Sequence, residues 1–212
     1  GRSPLDVSRS ADLLVKGHAA SYALYHHNPV VAGIDVYNVE AEAYGAAVGA
    51  SRDDEVPSVL EPLCQRASDL CELIWPDATR SGRFPMIMEA ASRLKEACPG
   101  AEIRIPLSGP YSMACALVGF QGILMETLTN PDAVAAALRH LAAGQVEVVR
   151  AFAARGFRVM FFDSAASPPI ITADSFTNLV LPALRALIEG ARNLTHESPP
   201  LILGGDTAGI LE

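Results

Sequence analysis

Apolar residues along the chain fall into two patterns, short strand-like segments and longer stretches with helical spacing. Four of the short segments are predicted to be strands of a parallel sheet. They lie near residues 31–37, 101–107, 157–163 and 200–204. The run at 157–163 stops abruptly on Asp163 and Ser164, an acidic residue and a hydroxyl. Because active-site groups in α/β folds lie at the carboxyl ends of parallel strands, this pair is the first candidate for chemistry.

The stretches with helical spacing separate these runs. Helices are expected near residues 11–25, 40–47, 60–74, 84–97, 130–155 and 172–188. The fifth begins at Asn130 and Pro131, an N-cap residue followed by a proline whose missing N–H costs nothing at the first helical position. Pro182 should kink the sixth. Helices that alternate with strands imply parallel βαβ units with right-handed crossovers.

The number of strands limits the architecture. A closed (β/α)8 barrel needs eight strands and typically takes about 250 residues, whereas this chain of 212 residues shows about four strands. A smaller open α/β sheet and an incomplete barrel both fit that number. The chain ends at 209–212 in what looks like the first turn of a helix. That ending favours an incomplete (β/α)8 TIM barrel, with about half to two-thirds of the barrel present.

Composition and charge narrow the class of protein. Hydrophobic residues make up 50% of the chain, enough for a sizeable core. The net charge of −8 argues against a nucleic-acid backbone or an anionic membrane as partner, and no apolar run approaches the ~20 residues needed to cross a bilayer. Without a C-x-x-C pair or a secretory signal, the cysteines are expected to be reduced thiols of a cytoplasmic protein. They are Cys64, Cys71, Cys98 and Cys115.

Four sequence blocks follow one another at 33–45, 108–114, 161–166 and 203–207. In this order and at this spacing they resemble the uroporphyrinogen decarboxylase superfamily of (β/α)8 barrels. That superfamily includes the haem-pathway decarboxylases and the methylcobamide-dependent methyltransferases. The resemblance implies one partial barrel domain over residues 1–212, lacking an N-terminal segment and the last βα units.

The resemblance also implies catalytic roles for Asp35, Asp163 and Ser164. In decarboxylases of the family an aspartate in the first block binds the pyrrole N–H groups, because an anionic acceptor stabilises the positively charged ring during loss of carbon dioxide. The family places an acidic residue and a serine at the third strand end, the serine donating to a substrate carboxylate or lining the mouth. Structural roles stay open for both aspartates: Asp35 would cap a helix that starts near Val39, and Asp163 would accept hydrogen bonds from loop amides.

Seven further residues are candidate substrate contacts, namely Tyr37, Asn38, Glu40, Gly109, Tyr111, Gly205 and Asp206. Glycine at position 109 would let the backbone approach a ligand closely. Other roles are open here too. A helix N-terminus would favour the Glu40 carboxylate, Tyr111 would pack in the core, and Asp206 would cap the next helix.

Several positions at which this sequence differs from the family pattern distinguish between the decarboxylase and methyltransferase branches. The sequence Val-Glu-Ala-Glu-Ala at 39–43 resembles the methyltransferases, and Ala116 stands where decarboxylases place a tyrosine. Zinc-dependent methyltransferases carry His-x-Cys where this chain has Ile202 and Gly204. The resemblance therefore implies neither the zinc dyad nor another metal site.

The hypothesis that follows is corrinoid-linked methyl transfer without the zinc dyad. Methylcobamide would be a substrate or would be carried by a partner corrinoid protein. Decarboxylation of uroporphyrinogen III, which needs no cofactor in this family, is one alternative. A non-catalytic paralogue that binds a tetrapyrrole or a partner protein is another. The candidate partners are a small-molecule or tetrapyrrole substrate and a corrinoid protein, and a homodimer is left open.

Overall fold

The core of the protein is a parallel sheet that curls into half of a barrel. The computed structural model describes residues 1–210. The strands are β1 (Val30–Val31), β2 (Val48–Gly49), β3 (Ser58–Val59), β4 (Ile103–Ser108), β5 (Arg158–Asp163) and β6 (Leu201–Leu203). The parallel sheet has the order β1-β4-β5-β6, and β2 and β3 form a separate antiparallel pair.

Helices connect the parallel strands and cover the sheet. They are α1 (Pro4–Ser8), α2 (Ala11–Tyr25), α3 (Val36–Ala43), α4 (Phe84–Ala97), α5 (Pro110–Val118), α6 (Phe120–Thr129), α7 (Pro131–Ala153), α8 (Ala173–Ser175) and α9 (Leu181–Thr195). Short 3-10 turns span Ala67–Glu72 and Ala208–Ile210, and a π-helical turn spans Phe176–Val180. Because α4 leads into β4, α7 into β5 and α9 into β6, each parallel connection is a helical crossover.

The centre of the sheet is more deeply buried than its edge. Every residue of β4 is buried, whereas β6 at the edge of the sheet is partly exposed. Beside the sheet, Phe152 of α7 meets Phe84 of α4 edge to face, with ring centroids 5.5 Å apart. Both rings are fully buried. Both faces of β4 are covered, as in other parallel sheets, and its one charged residue, Arg104, is paired with Glu102 and Glu197.

The predicted α/β class and incomplete barrel are confirmed. The helix expected at 84–97 is α4, and the last three predicted strands form β4, β5 and β6. Where a kink at Pro182 was predicted, the structure has a π-helical turn directly before α9. Because proline has no N–H to donate to the carbonyl of residue 178, the ordinary α-helical ladder cannot continue through this point.

The first half of the chain departs from the prediction. β1 ends at Val31 and does not continue to residue 37, because Gly33 turns the backbone at a φ of 150° and α3 then begins at Val36. The helix expected at 60–74 is reduced to the 3-10 turn that begins at Ala67. The β2–β3 pair was not predicted, since two-residue strands leave no periodic pattern.

Two further points concern the helix expected at the end of the chain and the question of a membrane-spanning helix. The helix start expected at 209–212 lies partly outside the described residues, and Ala208–Ile210 form a 3-10 turn. Within residues 1–210, no single helix has both the length and the apolar composition of a membrane span. By those two criteria alone one bent pair, α5 with α6, would pass, with an angle of 114° between the two helices.

A buried arginine joins three helices of the N-terminal half to one another. Arg83, the residue before α4, is 7% exposed and donates from Nη1 and Nη2 to the two carboxylate oxygens of Asp35, at 3.1 and 2.8 Å. It also donates to the Ser8 carbonyl at 2.9 Å and to the Glu42 carboxylate. The ends of α1, α3 and α4 therefore meet on one guanidinium group.

We expect Arg83→Met to lower the free energy of unfolding by about 3–5 kcal/mol, because it leaves the buried Asp35 carboxylate without its counter-ion. Arg93→Met is the matched control. Arg93 forms surface ion pairs with Asp12 and Glu89, and its loss should cost less than about 1 kcal/mol. Urea denaturation of the three proteins measures the difference. Equal destabilisation by the two substitutions would contradict the assigned role of Arg83.

Candidate functional site

A cleft of about 340 Å³ opens at the carboxyl ends of β4 and β5. Three segments form its walls: α3, α5 and the loop that follows β5. The lining residues are Tyr37, Ser112, Cys115, Ala116, Ser164, Ala165 and Ile170. This is the edge of a parallel sheet at which α/β proteins bind ligands.

Two hydroxyl groups meet across the cleft. The Tyr37 Oη and Ser164 Oγ atoms are 2.6 Å apart, and either can be the donor. Tyr37 lies on α3 and Ser164 directly follows β5, so the contact joins two walls that are 127 residues apart in sequence. A pair of this kind can donate to and accept from a bound molecule.

The lining is uncharged. Three hydroxyls and one thiol project from walls that are otherwise alanine and isoleucine, and the seven lining residues include no Asp, Glu, Lys, Arg or His. Burial, with a smaller contribution from the negative charge of Asp163, raises the pKa of the Cys115 thiol above its usual value. Cys115 is therefore a neutral thiol at physiological pH and not a thiolate.

Asp163 lies behind the cleft wall and is fully buried. Its carboxylate accepts hydrogen bonds from the backbone N–H groups of Ser112, at 2.7 Å, and Tyr111, at 3.3 Å, which are the first turn of α5. Burial raises its pKa to about 6, although the hydrogen bonds from Ser112 and Tyr111 oppose that shift. The Ser112 hydroxyl in turn accepts from the Ala165 N–H at 3.1 Å. Asp163 and Ser112 thus tie α5 to the loop that carries Ser164.

The turn into α5 leaves no room for a side chain at position 109. A Cβ atom on Gly109 would lie 2.2 Å from Oδ2 of Asp163. The close approach predicted for this glycine is therefore an approach to a carboxylate of the protein itself.

Glu40 is a second buried carboxylate near the same turn, with 1% of its surface exposed. It accepts hydrogen bonds from the Ser108 N–H, at the end of β4, and from Nε2 of Gln145 on α7, the latter at 3.0 Å. Burial raises its pKa to about 7, and the negative charge of Asp163 adds to that shift. Two acidic groups therefore flank the β4–α5 turn.

The structure brings two of the ten predicted site residues together in the cleft, Tyr37 and Ser164. Asp163, Glu40 and Gly109 lie directly behind its wall. The alternative stated for Asp163, acceptance of backbone hydrogen bonds, is present in the structure, and its catalytic role stays a prediction.

The remaining five predicted residues are engaged elsewhere. Asp35 occupies the N-cap position of α3 but makes no capping hydrogen bond, so the expectation that it caps a helix is wrong; Arg83 holds its carboxylate. Asn38 donates to the Pro57 carbonyl. The Tyr111 hydroxyl pairs with Thr127 Oγ1 at 2.9 Å in the core.

Gly205 and Asp206 belong to a segment that packs on the loop after β5. The Asp206 N–H donates to the Pro168 carbonyl at 2.9 Å, and a Cβ on Gly205 would lie 2.1 Å from that same oxygen. The Asp206 carboxylate accepts from the Ala208 N–H at 3.1 Å, as expected for a residue that caps the next helical turn. The segment supports the Ser164 loop from behind.

Sequence reasoning did not select Ser112 and Cys115 as site residues, although both line the cleft. They are three positions apart on α5, and residues three apart share a helix face. Recognising 110–118 as a helix would therefore have placed the two together. Ile170 carried no comparable signal, since only the path of the loop brings it to the cleft.

A metal centre finds no support in the described part of the chain. Within residues 1–210 no group of three or more His, Cys, Asp or Glu side chains is placed to hold a metal ion.

The chain is similar in sequence and in fold to known proteins. The family model described as uroporphyrinogen decarboxylase (URO-D) matches residues 1–212. The methylated-thiol–coenzyme M methyltransferase of Methanosarcina mazei is 28% identical over 189 residues, which are 88% of this chain and 49% of that relative. A solved structure of a methyltransferase from Methanosarcina mazei matches with a TM-score of 0.76 at 21% identity, covering 98% of this chain and 63% of that chain. The chain spans about half the length of the curated relative it matches.

We expect Gly109→Ala to lower the free energy of unfolding by at least about 2 kcal/mol, because the added methyl group must displace the Asp163 carboxylate or the first turn of α5. Gly17→Ala is the control, since nothing lies within 4 Å of a Cβ at Gly17 in α2. That change should be neutral or stabilising by up to about 1 kcal/mol. Thermal or urea unfolding measures both, and a Gly109→Ala protein as stable as the parent would show that the turn is not as tight as described.

Proposed function

The chain belongs to the uroporphyrinogen decarboxylase family, and we propose that it is a methyltransferase of that family whose small, uncharged substrate binds between Tyr37 and Ser164. The observation that carries the proposal is the uncharged lining of the cleft at the strand ends. The similarity to a methylated-thiol methyltransferase supports the same branch. The substrate class proposed is a methylated thiol, in which an apolar methyl group is bonded to a weakly polar sulfur atom.

The lining suits such a molecule. Ala116, Ala165 and Ile170 offer apolar surface to a methyl group, and the Tyr37 and Ser164 hydroxyls can orient a polar atom of the substrate. A volume of about 340 Å³ lies at the small end of the range of ligand sites. The residues of the chain would act by binding, orienting and excluding water, which is how positioning lowers the barrier to a transfer between two reactants.

A corrinoid, when bound, would supply the cobalt that accepts the methyl group as its bond to sulfur breaks, and the thiolate that leaves would take up a proton from water. The cleft is too small to enclose a corrin macrocycle, so the described residues fit the small substrate and not the corrinoid. We infer that the corrinoid meets the cleft at its mouth, as a free cofactor or on a partner protein. The Tyr37–Ser164 pair would then hold the substrate while the protonated Cys115 contributes a neutral, polarisable wall.

Decarboxylation of uroporphyrinogen III fits this cleft less well. That substrate carries carboxylate side chains, which call for cationic partners, and the lining has none. Both carboxylate oxygens of Asp35, the residue that the decarboxylase hypothesis assigns to the pyrrole N–H groups, already accept from Arg83. Ala116 stands where that hypothesis requires a tyrosine.

The test is the visible spectrum of methylcobalamin mixed with the full chain and a series of thiol acceptors. We expect the spectrum to change to that of the demethylated cofactor, with a rate that depends on the thiol. No change with any thiol would contradict methyl transfer. Release of carbon dioxide from uroporphyrinogen would establish the decarboxylase instead, and binding of methylcobalamin without turnover would favour the non-catalytic paralogue.

Two substitutions address the cleft itself. Tyr37→Phe and Ser164→Ala should each lower the rate of methyl transfer by about tenfold or more, since one hydrogen bond of ~1.4 kcal/mol corresponds to a factor of ten. Tyr25→Phe and Ser58→Ala change the same residue types at exposed positions outside the cleft and should leave the rate unchanged. If the cleft and control variants behave alike, the cleft is not the site of transfer.

A further inference from the structure

Glu40 is a buried acid without a counter-ion. Within residues 1–210 it makes no salt bridge, and its side chain is almost fully enclosed. Its hydrogen-bond donors are neutral, the Ser108 N–H and Gln145 Nε2. Taking a carboxylate out of water without a cation is costly, so such a group tends to keep its proton.

Three buried polar atoms near Glu40 lack hydrogen-bond partners: Ser108 Oγ, Gln145 Oε1 and Tyr44 Oη. The Ser108 hydroxyl lies close enough to Glu40 to lower the pKa of its carboxyl. Burial raises the pKa of Tyr44, and the negative charge of Glu40 adds to that shift. The two hydroxyls can donate to a carboxylate or accept from a carboxyl, whereas Gln145 Oε1 can only accept, and an ionised carboxylate has no hydrogen to give it. A protonated Glu40 has an O–H that this amide oxygen can accept.

The groups around Glu40 come from four elements. Tyr44 follows α3, Ser108 ends β4, Gln145 comes from α7, and Asp163 ends β5 with a second negative charge. The titratable groups on α5 are Tyr111 and Cys115. Burial raises the pKa of each, and the negative charge of Asp163 adds to both shifts. No cation is among these groups, so every neighbouring charge disfavours ionisation of Glu40.

The position of Glu40 connects it to the cleft. It lies one helical turn from Tyr37 on α3, and it binds the last residue of β4 directly before the turn into α5. Gln145 reinforces that link by donating to both Glu40 and the Ser108 carbonyl, at 3.0 and 2.8 Å. On the other side of the same turn, Asp163 holds Ser112.

We propose that Glu40 is a positioning residue of the cleft, which in its protonated form joins the helix that carries Tyr37 to the turn that places Ser112 and Cys115. The effect of this residue on catalysis rests on the proposed function, whereas its effect on the shape of the cleft does not. Glu40 is enclosed behind the wall and does not touch the substrate. It sets the separation of two walls of the cleft.

The first test is the pH dependence of stability, measured without cofactor or substrate. Because folding raises the pKa of Glu40 from 4.5 to about 7, its contribution is fully present below pH 4.5 and is lost as the pH rises through 7. Between pH 5 and 8 the unfolding equilibrium constant of the parent should rise relative to that of Glu40→Gln by on the order of 100-fold. Asp163 is present in both proteins and contributes to the pH dependence of each, so the comparison isolates Glu40 together with its coupling to Asp163.

Glu40→Gln imitates the protonated acid, and Gln145 can turn its unpartnered Oε1 toward the new amide. Glu147→Gln on the exposed face of α7 is the matched control and should follow the parent at every pH. If the parent and Glu40→Gln have the same pH dependence, Glu40 is ionised in the folded protein and the proposal is overturned.

The second test measures the cleft directly through alkylation of Cys115 by N-ethylmaleimide, located by peptide mapping. Glu40→Met removes the acceptor of the Ser108 N–H and should speed labelling of Cys115 by about tenfold or more. Glu40→Gln keeps an acceptor there and should stay within about twofold of the parent. Equal labelling in Glu40→Met and the parent, with both proteins folded, would overturn the positioning role.

Neither measurement needs methyl transfer. If the spectral assay fails while both of these succeed, the proposed function falls and the role of Glu40 in shaping the cleft stands. If the spectral assay succeeds while both of these tests fail, the proposed methyltransferase function stands and the positioning role of Glu40 is rejected. In the active protein, Glu40→Met should raise KM and lower kcat for the thiol, and Glu40→Gln should restore both.

Discussion

A buried carboxylate without a cation needs hydrogen-bond donors, and Asp163 finds them at the N-terminus of α5. That single interaction places three things at once. It fixes the start of α5, it brings the Ser164 loop against Ser112, and it excludes any side chain larger than glycine at position 109. The cleft is bounded by the elements that this carboxylate joins, so its shape depends on the burial of Asp163.

The position of Asp163 at a strand end could be predicted from the sequence, but its hydrogen-bond partners could not. Apolar runs that end on polar residues identified the β4 and β5 strand ends, because periodicity and turn residues are local properties. The partner of each carboxylate is not local. Asp35 lies in a block that favours a catalytic acid, yet Arg83, 48 residues away, holds it in a buried ion pair. Such a pairing depends on the crossover of α4, which no pattern within 33–45 reveals.

The cleft itself illustrates the same limit. Tyr37 and Ser164 each belonged to a block that the resemblance selected, but only the fold shows that their hydroxyls meet across 127 residues of sequence. Ser112 and Cys115 could have been predicted from helical spacing. Ile170 could not, since its place in the lining depends on an irregular loop.

The function proposed here rests on the neutrality of that lining, and a crystal structure of the chain soaked with dimethyl sulfide tests it most directly. The account predicts the ligand in the cleft, with its methyl groups against Ala116 and Ala165 and within reach of the Tyr37 and Ser164 hydroxyls. Loss of the ligand in a Tyr37→Phe, Ser164→Ala double variant would support the assignment. Dimethyl sulfide bound at another place, with this cleft empty, would contradict it.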